Sequence, residues 1–502
     1  MNFNKEINYK DLDLFRKNFK KKIVLAHGTF DFFHYGHLLH LQQAKTFGDK
    51  LVVSITSDLK ANKGPGRPLY SINERVKFLL EFSFIDHVVV SNFSTAIEVI
   101  KKLKPDVYVK GIEYKDSSND FSKNIIKERT IAAKYGAKIK YTDKKVFSSS
   151  NIINLYTSND DILKKYFLKI KKKIDLNYFG KVLDKIKKKN ILVIGESIFD
   201  EYIFCEGLGK SPKEEIISTR VINKELYLGG ILATASHIAN FCNQVTLLTV
   251  LGDNSLLNKS INTKLNKKIK KVFFEDKNIK TIIKTRYLQK VENKKLFQCN
   301  DVSFHSISDF IEKKIIKYIK KNAYKYDGII INDFGHGLMT KNIINLIQRY
   351  KNKLCVNVQS NSANLGYNYF YKYKSCSYLS VDEPEARLGV GDRFCSDVEL
   401  FKKVYKKTLY KYCSITHGGN GAKLSTKYNI FHAPALTKKF IDTLGAGDAY
   451  FAISSLFVIN KEDPDLILLS GNMAGSLKIS YLGHEKYLNK DRFYSYFKSL
   501  IS

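Results

Sequence analysis

Short apolar runs alternate with stretches of helical periodicity twice along this 502-residue chain, and this alternation constrains the fold more than any other feature. Buried parallel strands read as nearly continuous apolar runs, and the intervals here are long enough for crossover helices. The first set occupies about residues 20–150 and contains KKIVLAHG, DKLVVSIT, DHVVVSN and PDVYVKG. The second set contains ILVIGE, VTLLTVLGD, DGIIINDFG, KLCVNVQS and CSITHGG. The pattern predicts an α/β protein with two parallel-sheet domains.

The composition changes between the two sets. Residues 160–190 are rich in lysine and carry Leu, Ile and Phe at helical spacing. We therefore predict one domain over residues 1–155, a helical lysine-rich linker over 156–189 and a second domain over 190–502. Because the two sets share no obvious repeat, we expect two different folds.

The formal net charge of +35 admits nucleic acid, an anionic membrane or phosphorylated compounds as partners. The lysines are dispersed along the chain, which favours solvated helix faces over a binding patch. The sequence lacks an RNA-binding aromatic string, zinc-finger spacing or a clustered arginine stripe, so nucleic-acid binding remains the weaker alternative. The seven cysteines form no CxxC pair, the N-terminus has no secretion signal, and no apolar run approaches the ~18 residues of a membrane span. We expect a cytoplasmic protein that binds neither nucleic acid nor membranes.

The first motif, GTFDFFHYGH at residues 28–37, directly follows the predicted strand IVLAH. A strand, a glycine turn and a helix N-terminus form a phosphate site, because main-chain N–H groups and the helix dipole favour an anion. His34 and His37 flank Gly36, and two imidazoles there can donate hydrogen bonds to an α-phosphate as charge builds during in-line displacement. The attacking phosphate oxygen is already anionic, so the reaction needs no general base. A structural or metal-binding histidine pair is the alternative.

This motif resembles the HxGH nucleotidyltransferase superfamily, which includes glycerol-3-phosphate cytidylyltransferase and has a Rossmann-like fold. Over about residues 22–155 the chain resembles, more closely, the nucleotidyltransferase domain of the bifunctional enzymes of ADP-heptose synthesis. The resemblance implies catalytic roles for His34, His37 and Lys110, with Lys110 of the KGIEY segment neutralising pyrophosphate or the sugar phosphate. It implies nucleotide binding by Gly28, Thr29, Phe30, Gly36, Lys63, Arg67, Arg75, Ser148, Ser149 and Ser150.

The second motif, DTLGAGDAYFA, occupies residues 442–452. Gly445, Ala446 and Gly447 form a small-residue turn at the start of an apolar helix, where bare N–H groups can hold a phosphoryl group in transfer. Asp448 at the helix start can accept the proton of a substrate hydroxyl as that hydroxyl attacks ATP. An ordinary glycine turn with an aspartate cap is the alternative.

Over about residues 188–490 the chain resembles the ribokinase-like (PfkB) sugar kinases, whose motifs follow in order. The resemblance implies ATP as substrate and Mg²⁺ as cofactor, with Glu385 of DEPE helping to order the ion and no residue expected to bind it directly. It places Gly445, Ala446, Gly447, Thr416, Gly418, Gly421 and Glu385 around ATP and the transferred phosphoryl group. It implies sugar contacts for Asp200, Gly229, Gly230 and Asp333. A homodimer paired through an arm near the sugar site is a further implication.

The chain departs from the heptose enzymes at the sugar end, and its two domains are in reversed order. Ala233 and Asp382 replace two asparagines, and His336 and Gln359 replace two lysines. The lost lysines weaken the expectation of a sugar that already carries a phosphate.

The resemblance implies a bifunctional enzyme. It would phosphorylate a sugar with ATP and then transfer a nucleotidyl group from ATP or CTP to the sugar 1-phosphate. The products would be pyrophosphate and a nucleotide sugar, such as ADP-heptose, for lipopolysaccharide or another surface glycan. The alternative is a CTP-dependent transferase that makes a CDP-sugar or CDP-polyol and carries a non-catalytic, sugar-binding kinase-like domain.

Overall fold

The computed structural model describes residues 5–61, 64–65, 67–114, 124–143, 161–290 and 293–501. The chain forms two compact units. The first unit contains residues 1–180 and 491–502, and the second contains residues 181–490.

The first unit is built on a six-stranded parallel sheet with the order β1-β4-β3-β2-β5-β6. Its strands are β1 (Glu6–Ile7), β2 (Ile23–Gly28), β3 (Lys50–Thr56), β4 (His87–Ser91), β5 (Val107–Gly111) and β6 (Lys138–Thr142). Its helices include α1 (Leu12–Asn18), α2 (Tyr35–Lys45), α3 (Ile72–Leu80), α4 (Ile97–Leu103) and α5 (Asn124–Lys134). The strand order reverses between β2 and β5, and the crevice outside the carboxyl ends of strands at such a switch point is the usual ligand site of open α/β sheets.

The lysine-rich segment is helical where it is described. It forms α6 (Asp161–Lys173) and α7 (Leu176–Lys187), and α7 crosses the boundary between the units at residue 180.

The second unit contains a nine-stranded sheet with the order β11-β10-β7-β14-β15-β16-β17-β18-β19. The strands from β11 to β17 run parallel, and the last two pair antiparallel. The strands are β7 (Asn190–Gly195), β10 (Gln244–Leu251), β11 (Ile269–Glu275), β14 (Gly328–Asp333), β15 (Leu354–Val358), β16 (Ser375–Asp382), β17 (Leu409–Thr416), β18 (Ala422–Ser425) and β19 (Ile430–Ala433).

A separate four-stranded sheet of the same unit has the order β13-β12-β8-β9. It consists of β8 (Ser197–Lys210), β9 (Ile217–Gly229), β12 (Ile282–Gln289) and β13 (Lys294–Asp301). Strands β8 and β12 run parallel, while their other neighbours are antiparallel. Strand β13 is exposed along its whole length, so this sheet has a solvated side.

The helices of the second unit cover the large sheet. They are α8 (Gly230–Ala239), α9 (Ser255–Lys264), α10 (Asp309–Asn322), α11 (Lys341–Ile347), α12 (Glu383–Val390), α13 (Asp397–Lys407), α14 (Ala446–Ile459) and α15 (Pro464–Lys478). Helix α14 packs against both α8 and α15 and is buried from Asp448 to Val458. A helix that is apolar on all sides can only be stable inside a core, which explains its run of small and apolar residues.

The last helix, α16 (Lys490–Ile501), groups with the first unit rather than with the second, in which our sequence boundaries placed it. The ring of Phe497 stacks on that of Phe179 in α7, with centroids 3.8 Å apart. Tyr496 of the same helix lies against Gly64, where an added Cβ would come within 2.5 Å of the tyrosine ring.

The predicted fold class is confirmed: both units are α/β, and each of the nine apolar runs contains a strand. In the part of the chain that the structure describes, no helix combines the length and apolar character needed to cross a membrane.

Candidate active sites

In the first unit, the GTFDFFHYGH segment links β2 to α2 at the switch point of the sheet. His34 caps α2, and its Nδ1 accepts a hydrogen bond from the Gly36 N–H at 3.1 Å. An accepting Nδ1 carries no proton, so the neutral ring has its proton on Nε2 and can donate from there. His37 lies one turn on, with its ring stacked on that of His34 at 4.0 Å between centroids. The structure thus brings the two predicted catalytic imidazoles together at a helix N-terminus.

The loop before this helix is held from behind by a buried arginine. Arg75 donates to the carbonyl oxygens of Thr29 at 2.5 Å and Thr56 at 3.0 Å. Phe30 has a φ of +48°, and its ring covers Gly28 so closely that an added Cβ there would lie 3.0 Å from the ring. Arg75 and Phe30 therefore shape the loop main chain, and their predicted contacts with nucleotide stay predictions.

A second arginine supports the same loop. Arg67 pairs with Asp31, which is fully buried and also accepts the Leu69 N–H. The predicted residues Lys63, Ser148, Ser149 and Ser150 lie outside the described residues.

Lys110 lies at the carboxyl end of β5, beside the HxGH segment across the switch point. Its ammonium is 3.0 Å from Glu128 of α5 and lies over the rings of Tyr108 and Tyr114 at 5.3 and 5.2 Å. Burial opposes the charge of this ammonium, but Tyr108 and Glu128 hold the pKa of Lys110 well above its usual range. Lys110 is therefore a fixed positive charge.

Two further histidines, which sequence reasoning missed, lie near Lys110. Burial and the charge of Lys110 lower the pKa values of His27 and His40 to about 4. Both rings are neutral at physiological pH, so Lys110 supplies the positive charge at this edge of the sheet.

In the second unit, Asp448 lies in the first turn of α14 and is buried. Its Oδ1 accepts hydrogen bonds from Asn332 Nδ2 at 2.8 Å and from Gln359 Nε2 at 2.7 Å. Burial raises the pKa of Asp448, while these two hydrogen bonds act in the opposite direction. Two neutral amides thus stabilise the ionised form without placing a charge beside it.

The turn before Asp448 is open toward the space in front of the helix. Gly445 caps α14 with a φ of +72°, a conformation that favours glycine. A Cβ added at Gly447 would meet no atom within 4 Å. Main-chain N–H groups at an open helix N-terminus form an anion site, as the sequence predicts for this turn.

The predicted sugar residue Asp200 faces cations of the four-stranded sheet. Arg286 donates to Asp200 Oδ1 at 2.5 Å, and Lys284 is the cross-strand partner of Asp200. Gly229 is fitted to this carboxylate, because an added Cβ would lie 1.9 Å from Asp200 Oδ2. Gly230, with a φ of +53°, begins α8 directly beside it.

Lys284 lies near Asp200 but belongs to none of the sequence motifs. Burial lowers its pKa, whereas the charges of Asp200, Asp448 and Glu196 raise it. The chain has lost two lysines of the heptose kinases, but β12 contributes a lysine and an arginine to the same end of the site. Their spacing of two residues puts both on one face of a strand, a signal that was readable from the sequence.

The carboxylate of Asp333, at the end of β14, is held by two neighbouring side chains. Tyr373 donates to its Oδ2 at 2.7 Å, and the ammonium of Lys372 lies 2.6 Å from the same atom. Nearby, Glu196 accepts the N–H groups of Phe334 and His336. Burial and the charge of Asp333 raise the pKa of Glu196 to about 7. Asp333 thus supports the turn after β14, and its predicted sugar contact stays a prediction.

A small cavity of about 20 Å³ lies beside this turn and includes Glu196 and His336 in its lining. Neither Asp200 nor Asp448 lines it. The ring of His336 is neutral, because burial and Lys284 lower its pKa to about 4.

Glu385 joins two segments on the predicted ATP side. Its Oε2 accepts the Asp382 N–H at 2.9 Å, and its Oε1 accepts the Ser360 N–H at 2.8 Å. Burial and Asp382 raise the pKa of Glu385 to about 8. Both carboxylate oxygens accept hydrogen bonds from main-chain N–H groups. This arrangement fits an indirect role in ordering a magnesium ion better than direct ligation of the ion. Asp382, one of the departures, completes the capping box of α12.

The predicted ATP turn follows β17, whose last residue, Thr416, pairs with Asp382. Gly418 and Gly421 have φ values of +54° and +90°, which favour glycine, and an added Cβ at Gly421 would lie 2.2 Å from the carbonyl oxygen of Ala433. His417, Glu383 and Asp397 come together next to it, but Arg387 and Lys423 already neutralise the two carboxylates. This cluster does not favour a cation.

Comparison with known proteins matches these two units to two families. The profile described as pfkB family carbohydrate kinase matches residues 188–490, and the chain belongs to this family. The profile described as Cytidylyltransferase-like matches residues 25–155.

Among curated proteins, the chain is 44% identical over 120 residues to the bifunctional protein HldE of Campylobacter jejuni strain RM1221, covering 23% of this chain and 26% of that protein. It is 26% identical over 322 residues to the bifunctional protein HldE of Aliarcobacter butzleri strain RM4018, covering 62% and 65%. The chain thus spans about a quarter of the first relative and less than two thirds of the second.

Among solved structures, Escherichia coli phosphofructokinase-2 in complex with potassium aligns with a TM-score of 0.50 at 15% identity, over 62% of this chain and 99% of that one. This similarity bears on the fold alone.

Proposed function

We propose that this chain makes a nucleotide-activated sugar in two steps at two separate sites. In the second unit, a sugar hydroxyl attacks the γ-phosphorus of ATP, loses its proton to Asp448, and leaves as a sugar phosphate beside ADP. In the first unit, the phosphate oxygen of the sugar 1-phosphate attacks the α-phosphorus of ATP or CTP and displaces pyrophosphate. The resemblance of the motifs to the enzymes of ADP-heptose synthesis supports the anomeric hydroxyl as acceptor and an ADP-heptose-like product.

The observation that carries the first step is the setting of Asp448. Asp448 receives two amide hydrogen bonds and lies at the start of a helix behind an open glycine turn, which supports a role as acceptor of a proton beside a bound phosphate. Gln359, which departs from the lysine of the heptose enzymes, is one of these donors, and this contact argues against a non-catalytic kinase-like domain.

Support for the second step comes from the stacked imidazoles and Lys110 at the switch point. His34 and His37 can donate to the α-phosphate, and Lys110 can neutralise the phosphates on the other side. Magnesium bound with the triphosphates would neutralise further charge in both steps. Lys284 offers the charge that an anionic sugar would need, so sugars and sugar phosphates both belong in a test.

Single substitutions in the full chain should separate the two activities. We expect Asp448→Asn to abolish ADP formation across a panel of sugars and to leave pyrophosphate release from sugar 1-phosphates with ATP or CTP unchanged. His37→Ala should do the reverse, because the two reactions use different side chains. Loss of both activities from one folded variant would contradict separate sites, and sugar binding without any ADP formation would favour the non-catalytic kinase domain.

A further inference from the structure

Lys478, the last residue of α15, is among the largest fully buried side chains of the described chain and has no exposed surface. Burying an ammonium is costly, and an apolar side chain of similar size would fill the same space without that cost. The charge at this position therefore calls for an explanation beyond packing.

The ammonium lies directly beneath the phosphate turn of the second unit. It donates to the carbonyl oxygen of Leu444 at 2.8 Å and to that of Gly483 at 2.5 Å. Leu444 directly precedes Gly445, where an added Cβ would lie 3.2 Å from Lys478 Cε and 2.5 Å from the ring of His484. Lys478 thus links the Gly445–Gly447 turn to the segment at residues 483–484.

Asp442 links the same two segments through their N–H groups, whereas Lys478 links them through their carbonyl oxygens. Its carboxylate accepts the N–H groups of Leu444 at 3.0 Å and Gly483 at 2.9 Å. The carboxylate also accepts from Tyr202 of β8 at 2.7 Å and from Lys295 of β13 at 2.6 Å. In both segments, a main-chain N–H group donates to the Asp442 carboxylate and a main-chain carbonyl oxygen accepts from the Lys478 ammonium.

The ammonium remains charged near neutral pH. Burial lowers the pKa of Lys478 to about 8, and Asp442, Asp448 and Asp200 act against a further decrease. Its hydrogen bonds to Leu444 and Gly483 are both accepted by neutral carbonyl oxygens, so neither partner cancels the charge locally.

We propose that Lys478 is a built-in monovalent cation of the kinase site. It positions the Gly445–Gly447 turn through two carbonyl oxygens and adds positive charge behind the phosphoryl group in transfer. This inference rests on the proposed kinase function. Carbonyl oxygens bind potassium and ammonium ions in a similar way, so a free ion of that size is the natural substitute for the side chain.

The test compares wild type, Lys478→Met and Lys478→Gln in the full chain, with tetramethylammonium as the sole monovalent cation before KCl or NH₄Cl is added. We expect wild-type turnover and melting temperature to be unaffected by KCl or NH₄Cl. Lys478→Gln should lose most of its kcat, with little change in the KM for ATP, because the amide can still donate to the turn but places no charge behind the phosphoryl group. Lys478→Met should melt at a lower temperature, and KCl or NH₄Cl should raise both its melting temperature and its kcat.

Lys427→Met, at an exposed position, serves as the matched control and should behave as wild type. Wild-type kcat in Lys478→Gln, or losses in Lys478→Met that neither KCl nor NH₄Cl reverses, would overturn the proposal. If wild type phosphorylates no sugar, the proposed kinase function fails, while the melting temperatures in KCl and NH₄Cl still decide whether the pocket of Lys478 accepts a cation.

Discussion

At the scale of single residues, Asp448 is held by neutral hydrogen bonds. Gln359 stands in place of a lysine and donates to Asp448, and Asn332 donates to the same oxygen. An amide stabilises a carboxylate less than an ammonium does, so Asp448 keeps a higher pKa and a greater affinity for a proton, as the proposed role of proton acceptor needs. The sequence showed the replacement but not this contact, because the partners are 89 residues apart.

Gln359→Leu should move the acid limb of the kinase pH profile to higher pH. The hydrogen bond favours the ionised form of Asp448, so its loss raises the pKa further, and activity then disappears at a higher pH as the pH falls. The measurement is kcat against pH for an accepted sugar. Gln244→Leu, at an exposed position, should leave the profile in place, and an unmoved limb in Gln359→Leu would contradict the role given to this amide.

Gly229→Ala should reduce kinase turnover and destabilise the second unit by about 1–3 kcal/mol, because the new methyl group overlaps Asp200 Oδ2. Gly207→Ala in β8 is the control, since a Cβ there meets no atom within 4 Å. Sugar kinetics and thermal unfolding report both effects. Equal behaviour of the two variants would show that the close fit at Gly229 is unimportant.

At the scale of elements, helix α5 supports the end of β5 through Glu128. This buried carboxylate accepts the Tyr108 hydroxyl at 2.8 Å and the Ala96 N–H at 2.9 Å, and it lies 3.0 Å from Lys110. Burial opposes its charge, but Lys110, His27 and the Ala96 N–H lower the pKa of Glu128 to about 2. A helix that precedes the last strand thus fixes a predicted catalytic side chain.

Glu128→Gln should destabilise the first unit by about 3–5 kcal/mol at pH 7, because it leaves a buried ammonium without its counter-ion. The folded pKa lies below the unfolded value of about 4.3, so the contribution of Glu128 is present above that value and is lost as the pH falls toward 2. Denaturant unfolding between pH 7 and pH 3 should show the two proteins converging in acid. The exposed Glu81→Gln is the control, and a constant difference at all pH values would refute the assignment.

The sequence predicts elements well where burial is continuous. Strands such as β7 and β14 are covered on both faces and read as apolar runs. The four-stranded sheet was missed for two reasons. Strands β9 and β13 are largely exposed, so their residues form no such run, and in the more buried β8 and β12 the buried Asp200 and Arg286 interrupt the apolar residues. Asp200 and the phosphate turn could be placed by motif, but Arg286 and Lys284, which complete the site, lie on this missed sheet.

At the scale of the whole molecule, the chain order differs from the order of the compact units. Helix α16 follows the second unit in sequence but packs in the first, where Phe497 stacks on Phe179 and Tyr496 contacts Gly64. Sequence periodicity identifies an amphipathic helix but not the surface that the helix packs against. The packing of α16 in the first unit could therefore not be predicted.

Phe497→Ala should therefore weaken nucleotidyl transfer rather than sugar phosphorylation. Truncating a fully buried phenylalanine costs about 3–5 kcal/mol, here within the first unit. Pyrophosphate release should fall at a lower temperature than ADP formation, and Leu168→Ala, exposed on α6, should change neither. Earlier loss of ADP formation would place α16 functionally with the kinase.

Asp442 couples the four-stranded sheet of the kinase domain to the phosphate turn. One carboxylate holds Tyr202 and Lys295 of the four-stranded sheet together with the N–H groups that shape the phosphate turn. A movement of that sheet that separates Tyr202 and Lys295 from Asp442 also disturbs the hydrogen bonds of the phosphate turn. From this coupling we expect that exposure of the sugar site to water and competence for phosphoryl transfer exclude each other, which would limit hydrolysis of ATP when no sugar is bound.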